Sequence, residues 1–511
     1  MIIHLRLEAA SCRTWMLHLI AQLKKMTACD VRLDIVAPET PLPKSLQSLL
    51  DLEKMLLQRG VKNGADICAP DALSLQRATS QKPDIVIDLT KTEEGDADCR
   101  TLRPRYNGVA GEEALVAFLL SNGSPEITIE DVIRLKGKSK SRTVAKGVAS
   151  LEAAKGIGGA MEAVYSRVCV LLIRVLGGVE DDISAHQKLR VPALSNGKVA
   201  KHIVSALGSN TARAIYNLTC HPSHWRIGWR FVDGDGVMER QDLKGGTWNV
   251  LPHPIDHFYA DPVPFEWQGK HYLFFEDLDQ KTNKGVISVV PFDEKGPCGP
   301  VEVVLEEAWH LSYPFLIEHD GDIWMVPESS TNNDIAIYRA VDFPHKWERH
   351  ETLISNVEAA DATIVEHQGA WWMFAVTREG IGGYSDTLCL YKADSLFGPW
   401  VPHKNNPVLV DHETARPAGN SVIIEGALWR PMQNCAGGYG AALGLAKITK
   451  LDDHGFEQEI AKVIHPQSPT WPGRKLHTLN RAGRLEVIDG CIYRPKMKWV
   501  ANLVDKYYQP S

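Results

Sequence analysis

The stretch FYADPVPFEWQGKHYLFFED, Phe258 to Asp277, reads as two strands turning at Gly269, with acids at both ends, and the pattern recurs. Aligned on the turn glycine, YPFLIEHDGDIWMVPES brings Gly321 to the same place, DATIVEHQGAWWMFAV Gly369, AGNSVIIEGALWRPMQ Gly426 and AGRLEVIDGCIYRPKM Gly490. The glycines stand 52, 48, 57 and 64 residues apart, which leaves room for a four-stranded blade and its loops in each repeat. Linking segments such as KGVISVVPF, DIAIYRAV and DTLCLYKA supply further strands. Five such copies predict a five-bladed β-propeller over residues 221–511. Tryptophan usage shifts at the same boundary, with thirteen of the fourteen at or beyond Trp225.

Residues 1–135 have a different rhythm. IIHLRL, VRLDIVA and PDIVIDLT read as strands, RTWMLHLIAQLKK and SLQSLLDLEKMLLQR as amphipathic helices, and the helix GEEALVAFLLSN and strand EITIEDV follow. This alternation predicts a Rossmann-like open α/β sheet. Residues 136–220 read as largely helical, through ASLEAAKGIGGAMEAVYSRVCVLLIRVL and NGKVAKHIVSALGSNTARAIYNL, and are expected to form a helical connector. The chain is thus expected to be multidomain, α/β followed by all-β. The basic run of Arg134, Lys136, Lys138, Lys140, Arg142 and Lys146 is expected to be a solvated linker, because a net charge of -7 gives no electrostatic case for nucleic acid. The most apolar helix, VYSRVCVLLIRVLGG, is interrupted by Arg167 and Arg174, so no membrane span is expected. Burial is its expected fate, with a peripheral membrane contact as the alternative. The N-terminus lacks the succession of a secretory leader, and the ten cysteines stand singly, without zinc spacing. A cytoplasmic protein with reduced thiols is expected.

In a propeller the inner strands converge on a central channel. Eight residues before the turn glycine stand Asp261, Tyr313, Asp361, Ala418 and Ala482; seven after it stand Glu276, Glu328, Val376, Gln433 and Met497. Acids occupy some blades only, and this selective placement predicts a polar site near the axis built from Asp261, Asp361, Glu276 and Glu328, with Asp277 beside them. Converging carboxylates push one another's pKa values apart, so that one holds a proton while another is ionised, as glycosidic-bond chemistry requires. The alternative is that these acids cap turns or pair with Arg416, Arg430 or Arg494. Arg416 is a candidate for holding a phosphate, Gln433 and Tyr439 for hydrogen bonding or stacking on a sugar, and Tyr313 for substrate contact. His477, in KLHTLNRAG, is a candidate for a sugar hydroxyl, a phosphate or a metal, against a structural role. Trp371 and Trp372 face opposite sides of one strand, so at least one belongs to the core. No cofactor and no resident metal is expected.

YADP in the first blade, with Asp361 opening the third, resembles the five-bladed arabinanase and β-xylosidase type of glycoside hydrolase. That resemblance implies Asp261 as general base and Asp361 as the residue that tunes a general acid. The family's acid opens the fourth blade, where ETARPAGNSVII offers Arg416 and Ala418, with Asp411 and Glu413 only upstream, a departure that tells against simple hydrolysis. A longer set covers nearly all of residues 221–490: HWRIGWR, FYADPVPFEWQGKHYLFFED, LSYPFLIEHDGDIWMVPESS, VEAADATIVEHQGAWWMFA, DSLFGPW, RPAGN, GGYGAALG and LHTLNRAGRLEVIDG. Together they resemble the propeller domain of plant glucosamine inositolphosphorylceramide transferases and bacterial relatives, which implies a sugar-related role. PDIVIDLT gives the α/β domain a resemblance to the folate-dependent formyltransferase fold. The nearest string to that family's N-x-H-P-S signature is NLTCHPSHW, with Asn217, His221 and Ser223, where the Asn-to-His spacing is too long. GIGGAM follows no strand, as a phosphate loop would.

The expected function is transfer of a glycosyl unit, an amino sugar among the candidates, onto a glycan or a glycolipid-like acceptor. The donor would be a nucleotide sugar or a lipid-linked sugar. Asp261 would be base or nucleophile, supported by Asp361 and Glu328. The alternatives are a glycoside hydrolase, a non-catalytic glycan-binding module, and a formyltransferase acting through the N-terminal domain.

Overall fold

Seven strands and four helices make up most of the N-terminal unit in the computed structural model, which describes residues 1–26, 29–36, 42–58, 60–91, 99–135, 138–181, 183, 189–221, 224–467 and 469–510. That unit comprises Met1–Asn210 with Glu379–Gly383, and a second comprises Thr211–Arg378 with Tyr384–Ser511. Across the first sheet the order is Gln76–Arg77, Asp30–Val36, Ile2–Glu8, Ile85–Asp88 and Arg100–Tyr106, all parallel. Glu126–Leu135 then runs antiparallel, and Lys138–Val148 reverses again at the edge. Helices cover the central strands, so Ile3, Leu5, Leu7, Val86 and Ile87 are all buried and the strands read as continuous apolar runs. The Rossmann-like α/β expectation is met.

Three sequence expectations in this unit are corrected. The stretch read as the start of a helical connector opens instead with the strand Lys138–Val148. There Lys138, Lys140 and Arg142 alternate with Ser139, Ser141 and Thr143, the period of a strand, and the basic run is a charged sheet edge rather than a linker. Arg142 lies 3.4 Å from Asp131 and also pairs with Glu180; Lys136 lies outside the described residues. The helix Gly156–Leu176 is long and apolar enough to cross a bilayer, but 14 of its residues are buried, so the peripheral membrane contact read for it does not hold. GIGGAM forms that helix's first turn, where Glu53 Oε2 accepts the Ile157 N–H at 2.6 Å, so the protein's own carboxylate fills the position an anion would take.

In the second unit five antiparallel sheets form the blades of the propeller. Their first strands are His257–Trp267, Ser312–His319, Ala359–His367, Val422–Ile424 and Leu479–Ala482. Four hairpins turn where expected. Gln268–Gly269, Asp320–Gly321, Gln368–Gly369 and Glu425–Gly426 each place two successive residues at positive φ, the two-residue turn whose twist matches that of the strands. The fifth turns elsewhere: Ala482 pairs with Leu485, so Gly483 and Arg484 form the turn and Gly490 lies within the strand Leu485–Cys491. A Cβ on Gly490 would stand 2.5 Å from Trp471 Nε1, which accounts for a glycine there.

The fifth blade also joins the two ends of the propeller segment, because Leu485–Cys491 pairs with Trp225–Phe231, which pairs with Asn249–Val250. Arg230 fastens this closure. Its Nε and Nη2 donate to Glu486 Oε2 at 2.8 and 2.7 Å, and Glu486 Oε1 accepts the Val237 N–H at 2.6 Å. Both side chains are buried. Removing one partner strands a buried charge, so Glu486→Ala is expected to cost about 3–5 kcal/mol, read as a lower urea midpoint of tryptophan fluorescence. Arg484→Ala, which breaks the exposed pair with Asp233, should leave that midpoint in place.

Candidate active site in the propeller channel

The two acid positions of the repeat meet because each of the first three inner strands is interrupted at one place. Pairing skips from Ala260 to Val263, from Ser312 to Phe315 and from Ala360 to Thr363, so two residues face one across the ladder. The first residue of each bulge is Asp261, Tyr313 or Asp361, with φ of 51, 43 and 55 degrees. The residues opposite Ala260 and Ser312 are Glu276 and Glu328. A hairpin with acids at both ends thus delivers both to the bulge.

From the first blade, Asp261 joins a chain of groups in the fifth. His477 Nδ1 lies 2.6 Å from Asp489 Oδ1, and His477 Nε2 lies 3.3 Å from Asp261 Oδ1. The backbone N–H groups of His477 and Thr478 donate to the same Asp489 oxygen at 3.3 and 3.1 Å, and Asp489 Oδ2 accepts the Asp261 N–H at 3.0 Å. Trp225 stacks on the His477 ring with centroids 3.9 Å apart. The GGYG motif closes over this pair: Gly440 has φ of +63 degrees, and a Cβ there would stand 2.8 Å from His477 Cβ and 2.9 Å from the Trp225 ring.

Asp361, from the third blade, is held by the fourth. Arg416 Nε and Nη2 donate to its two oxygens at 2.5 and 3.3 Å, and Gln433 Nε2 donates at 2.9 Å. Arg416 Nη2 is 4.0 Å from Glu328, and its guanidinium lies 4.7 Å from the Tyr439 ring centre. Arg416 is therefore engaged by protein carboxylates, not free for a phosphate as expected. Glu328 accepts from Ser330 Oγ at 2.9 Å, and Glu276 lies 3.3 Å from His310 Nε2. Two candidates are engaged by other partners. Asp277, next along the strand from Glu276, bonds His257 at 2.7 Å and Ser288 at 3.2 Å within its own blade. Tyr313 is buried, and its hydroxyl meets Thr363 Oγ1 at 2.8 Å, a tie between two blades. Of the Asn217, His221 and Ser223 string, Ser223 lies outside the described residues, and Asn217 and His221 fall in the propeller unit rather than the α/β unit.

Burial dominates the electrostatics. It pushes the Asp261 carboxyl up to about 7, against the pull of His477 and with a further push from Asp361 and Asp489. Burial likewise lifts Glu328 to about 8, with Asp361 adding and Arg416 opposing. Glu276 is held well above the usual carboxylate range by burial and then by the charges of Asp261 and Glu328. Burial works against a charge on His477, yet Asp489 and then Asp261 hold its pKa above the ordinary value. Asp261, His477 and Asp489 together have the residue types of a cation site. Their donor set does not fit one, because Asp489 Oδ1 is already filled by three N–H contacts and both nitrogens of His477 face carboxylates. The arrangement is suited to moving a proton.

Asp489 and His310 escaped the sequence reading. Aligning the fifth repeat on Gly490 placed Ala482 and Met497 at its site positions, whereas Ala482 flanks the turn and Met497 lies past the strand, 58% exposed. The signal for Asp489 was the pair of acids, Glu486 and Asp489, in the otherwise apolar strand LEVIDGC.

Residues 251–490 match the family described as glucosamine inositolphosphorylceramide transferase 1, N-terminal. The rice (Oryza sativa subsp. japonica) glucosamine inositolphosphorylceramide transferase 1 is 33% identical over 330 residues, 58% of this chain and 44% of the relative. The Arabidopsis thaliana protein of the same name is 33% identical over 241 residues, 46% and 31% of the two chains. The chain thus spans less than half the length of these relatives. A solved thermostable family-43 glycoside hydrolase aligns over 42% of this chain and 78% of its own, at 12% identity and a TM-score of 0.31, from which nothing further follows. The expected cytoplasmic location is overturned: relatives named for transfer to a ceramide lipid do not fit it. The thiols were a weak guide, since six of the ten free cysteines are buried, where they pack as apolar groups in any compartment. The family match runs from the first blade to Gly490 in the fifth, so the propeller of this chain is similar to the glucosamine inositolphosphorylceramide transferase N-terminal family over residues 251–490.

Proposed function

We propose that the propeller, residues 221–511, transfers a glycosyl unit to an acceptor hydroxyl. Glucosamine and an inositolphosphorylceramide-type lipid are the sugar and acceptor suggested by the relatives' names, with a nucleotide-linked or lipid-linked sugar as donor. The observation that carries this reading is the gathering of four acids from three blades around the Arg416 guanidinium, with Asp261, Glu276 and Asp361 buried and Glu328 part-buried. Asp261 takes the proton of the acceptor hydroxyl as its oxygen attacks the anomeric carbon, and His477 steadies the carboxylate that accepts it. The bond from that carbon to the leaving oxygen breaks, and Glu328, which holds its proton at neutral pH, protonates the departing oxygen. Asp361, clamped by Arg416 and Gln433, is a positioning residue that supplies part of the charge that keeps Glu328 protonated. Glu328 supplies an acid from the second blade, in place of one at the opening of the fourth.

Mass-spectrometric turnover of nucleotide sugars and oligosaccharides, with and without lipid acceptors, tests this. Asp261→Asn is expected to lose product by a factor of about 10² or more. Free sugar in place of glycosylated acceptor would make the protein a hydrolase; null turnover in wild type and variant, with sugar still bound, would make it a binding module.

The pH dependence is fixed in sign. The base must be ionised, so kcat/KM should rise through about 7, and the acid must be protonated, so it should fall through about 8. Glu328→Gln should abolish the falling limb.

Stability gives a second check on that proton. Glu328 is raised from 4.5 to about 8 on folding, so its contribution is present below the unfolded value and is lost as pH climbs through the folded one. Wild type should therefore lose stability relative to Glu328→Gln between those values, by on the order of 1–3 kcal/mol in urea unfolding. Parallel curves would remove the proton from Glu328.

A further inference from the structure

The helix Lys498–Tyr507 packs along one side and leaves the other bare. Ala501 is buried, Arg494 grips Asp505 at 2.6 and 2.7 Å, and the Arg226 guanidinium lies 5.9 Å from the Tyr508 ring centre. On the outward side Trp499, Leu503 and Tyr507 stand at i, i+4 and i+8, one stripe of the helix, and are 63%, 56% and 79% exposed. Around them the charge is one-sided. From Arg494 to Tyr508 the basic residues are Arg494, Lys496, Lys498 and Lys506 and the one acid is Asp505, in a chain whose net charge is -7. The neighbouring helix Asn196–Thr219 ends against the same segment, with Lys496 Nζ donating to Asn217 O at 2.6 Å, and it exposes Ile215 and Leu218.

We propose that this face docks the protein on an anionic lipid bilayer. Tryptophan and tyrosine are the side chains that settle at the headgroup level, and leucine between them reaches the acyl boundary. Lysines beside the stripe meet anionic headgroups, each contributing on the order of a fivefold gain in binding near such a surface. A second copy fits the face less well. Three side chains on one short helix offer a few hundred Å², whereas a stable dimer needs roughly 800 Å² from each partner. The surface is separate from the channel residues, so it stands or falls independently of the proposed transfer.

Co-sedimentation of the full chain with large vesicles decides it. One set is phosphatidylcholine alone and the other equal parts phosphatidylcholine and phosphatidylserine. Wild type is expected to bind the anionic vesicles and to release in high salt. A W499S/L503S/Y507S variant should lose more than tenfold in partitioning, and K498A/K506A roughly twentyfold on anionic vesicles only. Unchanged thermal melting and unchanged turnover of a soluble substrate would show that the variants fold. Wild type that stays in the supernatant with both sets, or a triple variant that binds as wild type does, overturns the proposal. A wild-type dimer that the triple variant turns into monomer also overturns it, in favour of a contact between copies.

Discussion

The constraint on which the centre depends is the break in the inner strands. At each of these three bulges the first residue is in left-handed backbone, which costs a residue with a Cβ about 1–2 kcal/mol and is kept only where neighbours hold it. Each of the three bulge residues is held by a different blade: Asp261 by His477 and Asp489 of the fifth, Tyr313 by Thr363 of the third, Asp361 by Arg416 and Gln433 of the fourth. The same distortion that turns these side chains off the ladder makes them ties between blades. Aspartate suits the position because its short carboxylate tolerates left-handed backbone and still reaches across.

Charge then sorts the carboxylates by the donors they meet. Asp489 receives three N–H contacts on one oxygen and a fourth on the other, and Asp361 receives a guanidinium and an amide. Among the described residues Glu276 meets a histidine nitrogen at 3.3 Å, and Glu328 meets a serine hydroxyl at 2.9 Å, Arg416 at the limit of an ion pair, and the Asp361 carboxylate in a hydrogen bond that favours a proton on Glu328. Burial raises both, and retained protons lower the cost of packing so many acids together.

Much of this was legible in the sequence. The turn glycines mark four of five hairpins because two-residue turns need positive φ, and the acids eight before and seven after them converge because the bulge falls at a fixed distance from the turn. The fifth blade was misplaced because Gly490 is a glycine for a different reason, the approach of Trp471, and periodicity cannot tell the two causes apart. Arg416 was read as a phosphate ligand or as a structural partner of these acids; it is the second, paired with Asp361, 55 residues away along the chain. The edge strand Lys138–Val148 was hidden by its charge, since lysines that protect an exposed edge look like those of a linker.

The misplaced blade is also the one that couples folding to the site. Asp489 lies in the strand Leu485–Cys491 and His477 just before the strand Leu479–Ala482, whereas Trp225, stacked on His477, comes from the strand that opens the propeller. Until Trp225–Phe231 pairs with Leu485–Cys491, His477 lacks one face of its packing, and the strand carrying Asp489 has a bare edge. Arg230 and Glu486 fasten that pairing a few residues along the same two strands. Ring closure and completion of the proton chain are therefore the same structural step. A propeller that has not closed holds Asp261 in a bulge without its supports, where left-handed backbone and a buried carboxyl are both unfavourable.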